Sequence, residues 1–209
     1  MLRTLVSVSM DKSKTAVYVV LLHSPMVDRN GKGITTAVTN LDIHDIARSC
    51  RTYGVRRYFI VNPEEEQERL VRTILGHWKE EVSKVQHPSR AEALDLVCYL
   101  RTFEEAFNEV SVENGGKRPF VAMPDAKDLE NSWSCEELRG TIEAGQFENR
   151  PLMIVFGTGW GIAPSFYGQV DRPLRPLRKW DDRGYNHLSV RAAAAIVLDR
   201  VLGNREERV

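Results

Sequence analysis

Three stretches of this chain are apolar without alternation: "AVYVVLLH" at 16–23, "RRYFIVN" at 56–62 and "PLMIVFG" at 151–157. A strand with one face in water alternates apolar and polar residues, whereas a strand buried on both faces does not. β-branched and aromatic residues fill these runs, and each run is too short for a helix. Strands of this kind need helices packed on both sides of a parallel sheet. The sequence between them supplies such helices. Thr39 or Asn40 caps one, with Asp42 and Asp45 near its start, Arg48 and Arg51 near its end and Gly54 as its stop. Ile43, Ile46, Ala47 and Cys50 give it one apolar stripe. A second helix follows residues 56–62, with Asn62 as cap, Pro63 at the first helical position and acids in the first turn.

Further along, residues 90–113 read as largely helical and 118–126 as a strand. Residues 132–145 read as a helix, with a capping-box pattern from Ser134 to Glu137 and a stop at Gly145. "DRPLRPL" at 171–177 carries two prolines, which suits a short edge strand or a shaped loop. The last helix runs from about His187 to Leu202 and ends at Gly203. We read 1–209 as one α/β domain, with 80–117, which carries no motif, as a helical insertion.

Composition narrows the function classes. With 29 basic and 29 acidic residues the net charge is zero, so any nucleic-acid footprint has to be local. No apolar run reaches the ~20 residues a bilayer requires, and the first residues lack a leader-like apolar core. The expectation is a cytoplasmic protein with no membrane partner. Cys50, Cys98 and Cys135 are far apart, and no CxxC, HExxH or HxxxH occurs, so no metal site is expected.

The sharpest local feature is "VFGTGWG", 155–161, where a buried strand ends in three glycines within five positions. Glycine-rich turns at the carboxyl ends of parallel strands are where open α/β sheets bind ligands. "GTGWG" matches neither GxGxxG nor GxxxxGK[ST] and has no lysine behind it. A loop wrapping a flat neutral group such as adenine suits it better than a phosphate cradle. A plain tight strand-to-helix connection is the competing reading. A second cluster, Asn186, His187 and Ser189, precedes a helix with alanine at 192–195. That pattern reads as a capped, closely packed helix, and equally as the wall of a site.

Together these segments resemble the SPOUT superfamily of α/β-knot methyltransferases. "LMIVFGTGWG", "RPLRPL" and "YNHLSVRAAAAIVLDRVLG" are similar to its three cofactor loops, in order. "LSVRAAAAIVL" is similar to the NxSVxxAxxIxL pattern of SpoU-type members, with His187 at the asparagine position and Asn186 just before it. "TNLDIHDIARSCRTYGVRRYFIVNP" resembles the first motif more loosely. The likeness covers 15–62 and 118–203 and is closest to a bacterial family of RNA methyltransferases.

The resemblance implies a three-layer, Rossmann-like parallel-sheet fold with a deep C-terminal trefoil knot. It also implies S-adenosylmethionine as cofactor, RNA (tRNA or rRNA) as substrate, methylated at a base nitrogen or a ribose 2′-hydroxyl, and a homodimer. By the same resemblance Phe156, Gly157, Thr158, Gly159 and Gly161 would line the adenosine pocket. Leu174 and Leu177 would meet the adenine, and Asn186, His187, Leu188 and Ser189 would close the site. Catalytic candidates are Asn40, Arg48 and His187, with Arg51 and Arg191 as further acceptor-side arginines. Arginines near a helix end also serve the helix dipole alone, and a histidine near a helix start also serves as a cap.

The local basic stretches are 51–57 and 172–183. The second holds Arg172, Arg175, Arg178, Lys179 and Arg183 with Trp180, diluted by Asp181 and Asp182, while Arg29 and Lys32 add charge in the first loop. Two other readings stay open. One is a knot-fold protein that binds RNA or cofactor without turnover. The other is an unknotted doubly wound nucleotide-binding enzyme, against which the missing phosphate fingerprint counts.

Overall fold

The computed structural model describes residues 15–79, 85–178 and 187–205. The strands are β1 (Val17–Leu22), β2 (Met26–Val27), β3 (Gly33–Ile34), β4 (Arg57–Val61), β5 (Val97–Leu100), β6 (Phe120–Pro124), β7 (Leu152–Gly157) and β8 (Arg172–Leu174). The helices are α1 (Asn40–Thr52), α2 (Glu65–Lys79), α3 (Pro88–Leu94), α4 (Phe103–Glu113), α5 (Cys135–Glu143) and α6 (Val190–Leu202). A 3₁₀ helix spans Pro164–Gln169. Six strands form one parallel sheet in the order β5-β4-β1-β7-β6-β8, and β2 and β3 make a small antiparallel hairpin.

The uninterrupted apolar runs are explained by layers on both faces. Val17, Val19 and Leu21 of β1 pack with residues of α1, α2, α3, α5 and α6. Tyr18, Val20 and Leu22 point the other way, against α4 and the 3₁₀ helix. This is the layered parallel α/β arrangement that the sequence predicts.

Strand order places the site. From β1 the chain moves outward to β4 and β5, then crosses to β6 and enters β7 beside β1. It leaves β7 for β8, beyond β6. The connections after β1 and β7 therefore depart in opposite directions, and open α/β sheets bind ligands at the crevice such a switch creates.

Several boundaries differ from expectation. The helical reading of 90–113 is interrupted by β5, a four-residue strand at the sheet edge. So short a run carries too little period to be told from its helical neighbours. Helix α2 begins at Glu65; the Asn62 side chain accepts from the Glu64 N–H just ahead of it, at 3.0 Å, while its amide donates to the Thr36 carbonyl. Helix α6 begins at Val190, with Ser189 as its N-cap, three residues later than His187. Thr39 caps α1 by accepting from the Asp42 N–H, and the Ser134–Glu137 capping box is present on α5. The two-proline segment does form an edge strand, β8.

Candidate active site

At the carboxyl ends of β1 and β7 the glycine segment makes a tight turn. The Gly161 N–H donates to the Thr158 carbonyl at 3.2 Å, and Gly159 sits at φ +59° while Gly161 sits at +114°. Positive φ at the first central position is what a type II′ turn requires and glycine accepts. The loop then zips onto the hairpin: Val27 N–H donates to the Gly161 carbonyl (3.0 Å), Ala163 N–H to the Pro25 carbonyl (3.1 Å), and Met26 bridges Ile162. At Gly157 the close neighbours belong to the protein itself. A Cβ there would lie 2.4 Å from Ile162 Cγ1 and 3.0 Å from Met26 Cε. A Cβ on Gly159 would lie 3.2 Å from Thr36 Cγ2. The N–H groups of Gly159 and Trp160 donate to nothing among the described residues. They are left for a ligand edge or for water.

Beneath the turn lies a buried polar chain that motif reasoning missed. His23, which closes β1, has no exposed surface, and its Nδ1 is 3.0 Å from Thr36 Oγ1. Thr36 Oγ1 is 2.5 Å from Thr158 Oγ1, which donates to the Leu22 carbonyl at 3.2 Å. One proton order satisfies the chain: Nδ1–H to Thr36, the Thr36 hydroxyl to Thr158, the Thr158 hydroxyl to Leu22. Nε2 is then a bare acceptor, and it is buried with no partner. Burial pushes the imidazole down to about 4, against smaller opposing effects from Asp42 and the Thr36 backbone. His23 is therefore neutral at physiological pH. Asn62, also fully buried, joins the cluster through the Thr36 carbonyl, and the Tyr99 hydroxyl donates to the Asn62 carbonyl at 2.5 Å. The signal available in sequence was a histidine at the end of an apolar strand and threonines at 36 and 158, without an indication that they meet.

The other two segments fall on the α1/α5/α6 side of the sheet. Phe156 and Leu174 are core residues there, and Leu177 and Val190 pack against the same cluster. Phe156 is thus a packed side chain, 2% exposed. Leu174 bridges Trp133, and Arg172 lies over the Trp133 ring at 5.1 Å. His187, Leu188 and Ser189 are exposed at the start of α6, with the Ser189 hydroxyl accepting from the Ala192 N–H. Asn186, Lys179, Trp180 and Arg183 lie outside the described residues. Arg191 reaches from α6 to Asp42 and Asp45 of α1, 3.5 Å from each. Asp42 is buried there and also accepts from the Thr39 hydroxyl at 2.6 Å.

The acceptor-side candidates are spread out. Asn40 opens α1 at the carboxyl edge of the sheet. Arg48 lies eight residues later, about 12 Å along the helix axis, in a hollow between α1 and α6 that Tyr53 and Ala195 also line. Arg51 is committed to Glu92. In the basic stretches, Arg57 pairs with Glu113 (2.5 Å) and Glu109, Arg175 with Glu137, and Arg178 with Asp128. A cleft of about 600 Å³ opens on the opposite, α4 face, lined by Pro25, Arg101, Phe103, Phe107, Arg118 and Phe166 among others. Motif reading gave no sign of it.

Comparison with known proteins fits this geometry. Residues 16–203 match a family described as SAM-dependent RNA methyltransferase. Two proteins named tRNA (guanine-N(1)-)-methyltransferase, from Oleidesulfovibrio alaskensis and Nitratidesulfovibrio vulgaris, are 39% and 42% identical over 188 residues. The alignment takes in 90% of this chain but 42% of each of theirs, so the chain spans less than half the length of these relatives. Among solved structures, a TrmH/SpoU tRNA-modifying enzyme from A. aeolicus superposes with a TM-score of 0.53 at 13% identity, over 93% of this chain and 79% of that one. That likeness speaks to fold, and it agrees with the motif order of the glycine turn, β8 and α6. The chain belongs to the SAM-dependent RNA methyltransferase family, and its fold is like that of a solved TrmH/SpoU enzyme.

Proposed function

We propose that this protein methylates tRNA from S-adenosylmethionine, with guanine N1 as the acceptor atom. The observation that carries the reading is the glycine turn at the β1/β7 switch point, with two N–H groups left unbonded, inside a chain whose family match is nearly full length. The choice of guanine N1 draws on the names of the two 39–42% identical relatives. A tRNA substrate in turn supports a cytoplasmic place of work. Among the described residues no helix is long and apolar enough to cross a membrane.

In this reading Gly157, Thr158, Gly159 and Gly161 form the adenosine side of the pocket, with Phe156 as packed support beneath. Leu177 meets the adenine with Leu174, buried like Phe156, packed behind it, and His187, Leu188 and Ser189 close over it. The donor set fits a neutral heteroaromatic ring, since backbone N–H groups are present and no cation stands behind the loop as a phosphate site would need. Bound there, S-adenosylmethionine supplies an electrophilic methyl on a sulfonium whose charge is lost in the transfer. The chain's own task is to hold the acceptor in line, keep water out and take the proton that guanine N1 gives up. His187 is the candidate base and Asn40 a candidate positioning group. Arg48, two turns from the edge, suits a phosphate contact across a homodimer interface built on the small-residue face of α6. A knotted C-terminus belongs to the same proposal. It is supported by the path from β8, two strands beyond β7, back to α6 packed on α1.

The test is calorimetric titration with S-adenosylmethionine, then transfer of labelled methyl to bulk tRNA with nucleoside analysis. Label in 1-methylguanosine is the expected result. Cofactor binding with no label in any RNA pool would favour a non-catalytic binder.

A further inference from the structure

The exposed tryptophan of the glycine turn has no role in the reading above. Trp160 is 65% exposed, and other exposed apolar residues at this edge, Leu41 and Leu188, are smaller. Its presentation is fixed from both sides. On one side the Thr158 hydroxyl is tied to Thr36 and to the Leu22 carbonyl. On the other, the Gly161 carbonyl is tied to Val27 and Ile162 is bridged to Met26. The indole therefore stands in water on an anchored turn, where a flexible loop would instead have let it fold back onto the surface. Burial is the usual fate of so large an apolar group.

The anchor is the β2/β3 hairpin, and its tip is basic. The Asp28 carboxylate accepts from the N–H groups of Asn30 and Lys32 (2.8 and 2.9 Å), which closes a tight turn. That turn presents Arg29 and Lys32 in solvent. Neither has an ion-pair partner among the described residues, in contrast with Arg51, Arg57, Arg175 and Arg178. A rigid aromatic face beside unpaired cations is how proteins hold unstacked bases and their phosphates.

We infer that Trp160 is a stacking platform for an unpaired base of the RNA substrate, with Arg29 and Lys32 holding the flanking phosphates. This rests on the RNA-methyltransferase reading for the identity of the polymer. It adds what that reading lacks, an RNA contact built into the cofactor loop itself. A base stacked on Trp160 would sit next to Gly159 and Gly161, so the loop that lines the cofactor pocket would also set how deep the acceptor strand enters.

The test is anisotropy of a labelled single-stranded RNA of about twelve nucleotides, with parent and variants, across a salt series. Each protein is also titrated with S-adenosylmethionine and sized by gel filtration. Trp160→Ala should weaken RNA binding about tenfold or more, and Trp160→Phe should restore most of it. Arg29→Ala with Lys32→Ala should lower the slope of log affinity against log salt by about 1.4, two single-strand phosphate contacts. Trp160→Ala binding RNA as the parent does would overturn the inference. So would a change from dimer to monomer in that variant, since the face would then belong to a second copy of this chain. A parent that takes up the cofactor but no RNA sinks this inference and spares the cofactor assignment. A parent that binds RNA through Trp160 but takes up no cofactor does the reverse.

Discussion

At Gly157, side-chain volume decides. The missing Cβ is space filled by Ile162 Cγ1, 2.4 Å from where that atom would stand. Gly157→Ala should cost about 2 kcal/mol in chemical denaturation, as overpacking does. Combining it with Ile162→Ala should cost less than the sum of the two single changes. Strict additivity would mean that the two positions do not compete for space. His23 gives a second expectation. Its folded value of about 4, against 6.5 when exposed, means that the unfolded chain binds the proton more readily. Stability should therefore be fully present above pH 6.5 and fall as pH drops toward 4, by about 3 kcal/mol from this group. His23→Asn should flatten that part of the profile in pH-dependent urea melts. Both effects depend on which distant residues meet at the strand ends. The glycines were legible as the end of a strand, but Ile162 and the Thr36–Thr158 link were not.

At the scale of elements, the start of α6 ties the third segment to the rest. Ser189 supplies its cap and Arg191 its bridge to Asp42 and Asp45 of α1. Ser189→Ala should lower stability by about 1 kcal/mol, the usual worth of an N-cap. It should also weaken S-adenosylmethionine binding in calorimetry if 187–189 close the pocket. A stability loss with unchanged cofactor affinity would remove Ser189 from the site. Capping signals were readable where side chain and backbone partners are close in sequence, as at Thr39 and Ser134. Asn62 also accepts from a nearby N–H, that of Glu64, but its amide is spent on the distant Thr36 carbonyl, which was not readable, and the regular helix starts only at Glu65. Strand β5 escaped because four residues, three half-buried and one buried, following a short helix carry almost no period of their own.

For the molecule as a whole, the three apolar runs were enough to require a parallel sheet with helices on both faces. Strand order was not, since nothing local to β7 says that it lies between β1 and β6. That order creates the crevice where the glycine turn stands, while the α4-side cleft lies on the opposite face of the sheet from α6. Net neutrality also has a structural counterpart, because Arg51, Arg57, Arg175 and Arg178 of the two basic stretches are spent on intramolecular ion pairs, whereas the hairpin tip's Arg29 and Lys32 have none among the described residues. The most direct check of where this molecule works is amide hydrogen exchange with and without S-adenosylmethionine. We expect slowed exchange concentrated at 157–161, 174–177 and 187–190, with β5 and α4 unchanged. Protection centred on residues 101–107 and 166–169, around the α4-side cleft, or no protection anywhere, would contradict the cofactor site argued for this protein.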